Sequence, residues 1–337
     1  MSTHVLICDD SSLARKQLAK ALPMDWDIDI EYAQNGQEAL DIIDKKKIDF
    51  LFLDLNMPIK DGYQTLEALQ WVNHTPQVLV VSGDVQPLAV QRVKELGAVE
   101  FHKKPILVDA MRETLLSLGW MSENEEVSDF ATASRNSVVD DFSFSECLQE
   151  VSNVAMGKAA SVLADMLNVF VKLPVPTVNI LEVSELQMTL GYGAKDNQYS
   201  AVSQGFVGTG VAFEALLIFN DTSFSDIAKL LNVSGEIDTN TEVELLMEVS
   251  SVLVGPFIDA LGKQLNIDFS FGHPALLGQH VKMANLIDQK RAKWKRTLTV
   301  ELVYELENYN VSCDLLLLFT EESVPVLASL LSYLVED

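Results

Sequence analysis

Short apolar runs alternate with helically spaced segments from the start of the chain. VLIC (5–8) ends in Asp9-Asp10, and SSLARKQLAKAL follows with apolar positions three and four apart. The alternation recurs through IDIEYA, GQEALDII, IDFLFLD, YQTLEALQWV, QVLVVS, PLAVQRVKEL, VEF and ILVDAMRETLLSL. Brief strands separated by amphipathic helices predict βαβ units and a parallel sheet covered on both faces. Residues 1–121 thus read as an open, doubly wound α/β domain, with its ligand side at the carboxyl ends of the strands.

Those strand ends carry complementary chemistry. The first ends in Asp9 and Asp10, and the third in Asp54, followed by Asn56, Pro58 and Gly62. The fourth ends in Ser82-Gly83, and the fifth leads to Lys104-Pro105. Three carboxylates on one rim repel one another unless a cation sits among them, and all-oxygen donors suit Mg²⁺. A lysine and a hydroxyl beside them suit a phosphoryl group. The inferred chemistry is attack by Asp54 on a phosphoryl donor, giving an aspartyl phosphate.

The pattern breaks at Ser122. SENEEVSDFATASRNSVVDDFSFS is acidic and serine-rich with no sustained period, so 122–143 reads as a connector, with Asp140-Asp141 and Ser143 available to cap the next helix. Residues 144–337 then repeat themselves, about 144–235 and 240–337. LLIF at 216–219 returns as LLLF at 316–319, and Leu230-Leu231 returns as Leu330-Leu331. Each apolar run predicts a strand followed by a helix. Upstream, Glu146, Glu150, Asn153 and Gly157 return with the same spacing as Glu244, Glu248, Ser251 and Gly255. Pro176 and Pro274 follow Asn153 and Ser251 at equal distance. This period is too long for a solenoid. It predicts one pseudo-symmetric α/β domain with two long helices and a largely antiparallel sheet.

On the 146–170 helix, Leu148, Val151, Ala155, Ala159, Val162, Met166 and Phe170 form an apolar face. Glu146, Glu150, Asn153 and Gly157 form a second stripe. A mid-helix glycine costs about 1 kcal/mol relative to alanine. A close approach by another surface would account for that cost.

Composition narrows the partners. The chain has 337 residues, 48% of them hydrophobic, and a formal net charge of −25. It suits a folded protein repelled by nucleic acid and by anionic membrane. Cys8, Cys147 and Cys313 form no CxxC, so a reducing cytoplasm fits. The first residues lack a signal-peptide pattern, and no uninterrupted apolar run has spanning length, so no membrane insertion is expected. KRAKWKR (290–296) is basic, but in so acidic a chain it reads as a hairpin edge or a contact for an acidic surface. GYG (191–193) and GFVGTG (205–210) lack the context of a phosphate loop and read as turns and strand kinks. His4, His74, His102, His273 and His280 have no metal-ligand spacing.

At these residues the chain resembles two families. Residues 1–120 resemble the CheY-type receiver of two-component response regulators. The resemblance implies phosphorylation of Asp54 by a cognate histidine kinase, and Mg²⁺ held by Asp9, Asp10, Asp54 and the Asn56 carbonyl. It implies Ser82 as switch hydroxyl, Lys104 as phosphate-binding lysine and Phe101 as switch aromatic. Gly83 departs from the usual alanine, and Asn56 and Asp84 occupy variable positions. Residues 144–337 resemble the CheC/CheX/FliY chemotaxis phosphatases. Their motif falls on Glu146, Glu150, Asn153 and Pro176. This implies hydrolysis of the aspartyl phosphate of a CheY-like receiver, in trans or its own, with Glu150 docking and Asn153 positioning water. Glu146 replaces the usual Asp or Ser, which leaves its role open. Ser251 replaces the second Asn, so Glu248 and Ser251 are expected to form a degenerate site. The alternatives are a non-enzymatic output module, as in related flagellar switch proteins, and a receiver that serves only as a phosphate sink.

Overall fold

The computed structural model describes residues 3–121, 143–182, 198–233, 235, 237–288 and 296–336. The connector at 122–142, GYG and all of KRAKWKR except Arg296 lie outside them. The chain divides into two compact units, Met1–Glu150 and Val151–Asp337.

The first unit contains β1 (Thr3–Cys8), α1 (Ser12–Ala21), β2 (Ile28–Ala33), α2 (Gly36–Lys45) and β3 (Phe50–Leu53). It continues with α3 (Gly62–Leu69), β4 (Gln77–Ser82), α4 (Pro87–Glu95), β5 (Glu100–Lys103) and α5 (Val108–Ser117). The strands form a parallel sheet ordered β2-β1-β3-β4-β5. Alternate residues feed two cores. Leu6, Cys8, Leu51, Leu53, Val78 and Val80 join one, while Val5, Ile7, Phe52, Leu79 and Val81 join the other with Trp26 and Trp120. Burial on both faces is why the central strands β1, β3 and β4 read as unbroken apolar runs. Ser11, Asn35 and Asp61 cap α1, α2 and α3 through side-chain oxygens, satisfying amides that have no partner within the helix.

Helix α6 (Phe144–Leu167) contributes residues 144–150 to the first unit and 151–167 to the second. The second unit adds β6 (Val171–Lys172), β7 (Thr177–Glu182), β8 (Tyr199–Gly208), β9 (Val211–Asn220) and α7 (Phe224–Leu230). The second repeat supplies α8 (Thr239–Leu265), β10 (Ser270–Phe271), β11 (Ala275–Val281), α9 (Met283–Asp288), β12 (Arg296–Leu306), β13 (Ser312–Phe319) and α10 (Ser323–Glu336).

These strands form one antiparallel sheet with the path β10-β8-β9-β13-β12-β6; β11 also pairs with β8, and β7 with β12. At its centre Leu216 faces Leu316, the two copies of one repeat position. A pseudo-twofold therefore passes through this pair. Each repeat lends its short upstream strands to the other's edge: β6 and β7 extend β12, and β10 and β11 extend β8. Within GFVGTG, Thr209 and Gly210 have φ 46° and 80° and close the β8–β9 hairpin. Two positive φ values match the right-handed twist of the flanking strands, and glycine adopts the second without strain.

Helix α8 runs through Pro256, with Asp238 capping its start. Among the described residues it alone is long and apolar enough to cross a membrane, and 56% of its most apolar window is buried. Its inward face, from Leu245 through Leu253 and Phe257 to Leu265, is core.

At the end of β11, His280 lies between two acids. Its Nδ1 is 2.7 Å from Asp221 Oδ2 and its Nε2 is 2.9 Å from Glu242 Oε2. Ser200 donates to Asp221 Oδ1 (2.8 Å), and Gln279 donates to Glu242 (3.0 Å). The hydrogen bond to Asp221, aided by Glu242, raises the imidazole above its ordinary value of 6.5. A raised pKa means that the folded state holds a proton the unfolded chain releases. The stabilisation is therefore complete below about pH 6.5 and is lost as pH rises through the folded value. An NMR titration is expected to place His280 above 6.5. Asp221→Asn is expected to move it down, and an unmoved midpoint would contradict the clamp.

Candidate functional site

Parallel strands deliver their carboxyl ends to one edge of the first unit, and four of them bring the site residues there. Asp9 and Asp10 follow β1, Asp54 follows β3, Ser82 ends β4 and Lys104 follows β5. Lys104 Nζ lies 2.8 Å from Asp9 Oδ2 and 3.3 Å from Asp54 Oδ1. Asp9 Oδ1 accepts from the Ser11 amide at 2.9 Å. Asp54 Oδ2 accepts from the Asn56 amide at 3.0 Å. Arg15 donates to the carbonyls of Asp9 (2.6 Å) and Asp10 (3.2 Å) and so fixes the turn that carries both acids.

Asp54 is 1% exposed, so its carboxylate has lost water on every side. That burial drives its pKa well above the carboxylate range; Lys104 opposes the shift, and Asp9 and Glu150 add to it. Burial and the neighbouring Asp9 push Asp10 up to about 7. Lys104 pays the same desolvation, but Asp54, Asp9 and Glu150 together hold it protonated above its usual range.

A divalent cation fits this donor set. One carboxylate oxygen from each of Asp9, Asp10 and Asp54 lies within 4.8 Å of the others. Asp54 Oδ1 is buried, with the Lys104 ammonium 3.3 Å away as its charge partner. Hard oxygen donors with crowded negative charge favour Mg²⁺ over softer metals.

Ser82 is fully buried, and its Oγ accepts from the Asp84 amide at 3.2 Å. Phe101, on β5, is partly buried against the core that contains Leu53 and Val80. Asp84 and Gln86, both buried, close the start of α4. Gln86 donates to Asp84 through its backbone amide (3.1 Å) and its side chain (3.0 Å). Gln86 carried no signal in the sequence, because its burial depends on the β4–α4 turn.

The α6 stripe divides by role. Ser143 Oγ accepts from the Glu146 amide (3.2 Å), while the Glu146 carboxylate accepts from the Ser143 amide (3.0 Å) and hydroxyl (2.8 Å). This is a capping box, so Glu146 starts the helix. The S-x-x-E pattern at 143–146 was its readable signal. One turn on, Glu150 Oε1 is 3.0 Å from Lys104 Nζ, and both side chains are buried. Burial raises the Glu150 carboxyl, and Lys104 opposes that rise. Asn153 and Gly157, on the same stripe, are buried in the second unit.

The second copy differs. Glu244, Glu248, Ser251 and Gly255 are all exposed on α8. Ser251 Oγ donates to its own helix at Met247 O (2.9 Å). A Cβ on Gly255 would meet nothing within 4 Å. Gly255 also precedes Pro256, whose ring crowds a preceding side chain in helical conformation.

Residues 5–116 match the response regulator receiver domain family. This region is 37% identical over 110 residues to a protein-glutamate methylesterase/protein-glutamine glutaminase of Moorella thermoacetica, covering 32% of this chain and 26% of that protein. It is 29% identical over 115 residues to sporulation initiation phosphotransferase F of Bacillus subtilis, covering 34% of this chain and 92% of that protein. Among solved structures it is similar to chemotaxis protein CheY4 of Vibrio cholerae, at 27% identity and TM-score 0.32, covering 35% of this chain and 98% of that one. The chain thus spans about a quarter of the methylesterase's length. Its N-terminal unit carries a response regulator receiver domain, and the C-terminal unit is mostly antiparallel sheet.

Proposed function

We propose that the chain is a response regulator, phosphorylated on Asp54, whose C-terminal half hydrolyses the aspartyl phosphate of a receiver. The observation that carries this reading is the buried ion pair between Glu150 and Lys104: the acid of the α6 stripe engages the lysine of a phosphoryl-accepting site. Asn153 lies three residues on, on the same helical face.

Asp9, Asp10 and Asp54 would hold Mg²⁺, which when bound would neutralise phosphoryl oxygens. The phosphodonor is a histidine kinase or a small acyl phosphate. Lys104 holds a cation beside the acceptor carboxylate and binds the transferred group by charge. Hydrolysis then needs a water in line with the Asp54 leaving oxygen. An amide suits that task, since it donates and accepts without adding charge. A carboxylate at position 153 would be repelled by the phosphoryl oxygens. Glu150 would pair with the phosphate-site lysine of the receiver it serves and fix the register of docking. On α8, Ser251 has no amide and directs its hydroxyl to its own helix, so Glu248–Ser251 is read as hydrolytically silent.

The test loads the chain from acetyl phosphate with Mg²⁺, removes the donor and follows acyl-phosphate decay. Asn153→Ala is expected to slow decay by about 100-fold, the usual effect of losing a positioned group. The same comparison is made on an added phosphorylated CheY-like receiver. Equal rates for wild type and variant on both substrates would overturn the phosphatase reading in favour of a binding module.

A further inference from the structure

A cavity of about 460 Å³ opens in the second unit beside the last turns of α8. Small-molecule sites fall in this range, roughly 300–1,000 Å³. One wall is aromatic, lined by Phe206, Phe269 and Phe271, the first of them from the GFVGTG segment. The wall is held from behind. Phe206 stacks on Phe213 with centroids 5.2 Å apart, and Phe269 meets the same ring edge-on at 5.3 Å. Phe271 is fixed through β10. It pairs with Phe206, the Gly272 amide donates to Gly205 O (3.0 Å), and Gln204 Nε2 donates to Gly272 O (2.9 Å). Phe271 is nevertheless 71% exposed. An aromatic residue so anchored and left in water presents contact area at little further ordering cost.

The facing wall is α8. Gly255 lines the cavity, and a Cβ there would meet nothing within 4 Å. Gly262, two turns on, is different: its Cβ would lie 2.5 Å from Ile267 O, so its small size serves packing. Gly255 eases the crowding by Pro256 and at the same time leaves the wall bare. The matching glycine of α6, Gly157, is buried, so the two copies differ here.

Charge selects the ligand. Asp259, Lys263 and Asp268 stand around the opening. Lys263 is committed to Asp259 at 2.6 Å. Asp268 has no ion-pair partner among the described residues. Asn266, also on the lining, ends α8 in the left-handed conformation. The carboxyl end of a helix carries partial negative charge, which favours a cation. Aromatic faces favour one as well. An anion would meet a carboxylate and the negative end of a helix, with the nearby ammonium already neutralised.

We propose that this cavity binds a small organic cation, with an ammonium or guanidinium group beside Asp268 and an apolar body against Phe206, Phe269 and Phe271. The site does not depend on the phosphatase reading. It takes up two features which that reading leaves unused, the glycine of the second stripe and the aromatic of GFVGTG.

Two probes with one apolar body and opposite charge test the assignment. Full-length chain is titrated calorimetrically at neutral pH with phenethylamine, which is then protonated, and with hydrocinnamate. The amine is expected to bind with a dissociation constant below about 1 mM, and the acid at least about 10-fold more weakly. Asp268→Asn is expected to weaken the amine about 10-fold and to erase the preference. Phe271→Ala is expected to weaken both probes. Both positions are exposed, so neither change threatens the fold, and circular dichroism of the variants checks this. Equal affinity for amine and acid would overturn the proposal. So would amine binding untouched by Asp268→Asn or by Phe271→Ala, or no saturable binding of the amine.

Discussion

Asp54→Asn is expected to abolish acyl-phosphate formation and, in Mg²⁺-free buffer, to make the chain more stable by about 1–2 kcal/mol. The two effects have one cause. Asp9, Asp10, Asp54 and Glu150 crowd around a single buried ammonium, and Asp54 is the most deeply desolvated of them. An amide of the same shape removes one buried negative charge and keeps an oxygen for the Asn56 amide, now 3.0 Å from Asp54 Oδ2. Lys104 is not orphaned, because Asp9 and Glu150 remain at 2.8 and 3.0 Å. Chemical denaturation with and without Mg²⁺ reads the balance. Adding Mg²⁺ is expected to stabilise wild type more than the variant and so narrow the gap. A variant less stable than wild type in Mg²⁺-free buffer would mean that Asp54 is held for structure, against the view that this cluster stores repulsion for chemistry.

The receiver half was legible in the sequence because its signals are local. The central strands β1, β3 and β4 are buried on both faces, so VLIC and QVLVVS stand out as apolar runs. The site residues sit within one or two positions of the strand ends. Parallel topology brings such ends together whatever the loops do, so Asp9, Asp54 and Lys104 could be grouped without coordinates. The second half was legible through duplication. Its offset of 100 marks Leu216 and Leu316, and these face each other across the centre of the sheet.

What stayed hidden depends on pairing between distant segments. Nothing in the sequence of β7 says that it lies along β12 of the other repeat, with Thr177 opposite Glu301. The His280 clamp joins residues 59 and 38 positions apart, through a strand end and a helix start, with no periodic trace. Glu146 is a different case. Its partner is three residues away and its pattern is a known one. Its place in a repeated stripe with Glu150 and Asn153 suggests chemistry, whereas its hydrogen bonds to Ser143 assign it to capping.

Gly62→Ala is expected to destabilise the chain by about 3 kcal/mol, at the upper end of overpacking losses, and to slow phosphorylation of Asp54. Helix propensity alone argues the opposite sign, since alanine is favoured over glycine within a helix by about 1 kcal/mol. Gly62 opens α3, directly after the Asp61 cap, which is joined to Gln64 in a capping box. Its amide donates to Leu55 O at 3.0 Å, so the helix start is tied to the segment just after the acceptor. A Cβ here would lie 2.3 Å from the Asp54 carbonyl oxygen and 2.8 Å from Leu55 Cα. Both are backbone atoms and cannot swing aside as a side chain can. Either α3 lifts away from its hydrogen bond, or the Asp54–Leu55 backbone shifts and takes the acceptor carboxylate with it. Glu67→Ala, at an exposed position of the same helix, is the control for propensity and is expected to change stability by less than about 0.5 kcal/mol. Denaturant midpoints and the rate of phosphorylation from acetyl phosphate test both halves. Should Gly62→Ala match the control in stability and rate, the close approach of α3 to Asp54 would not be what positions the acceptor.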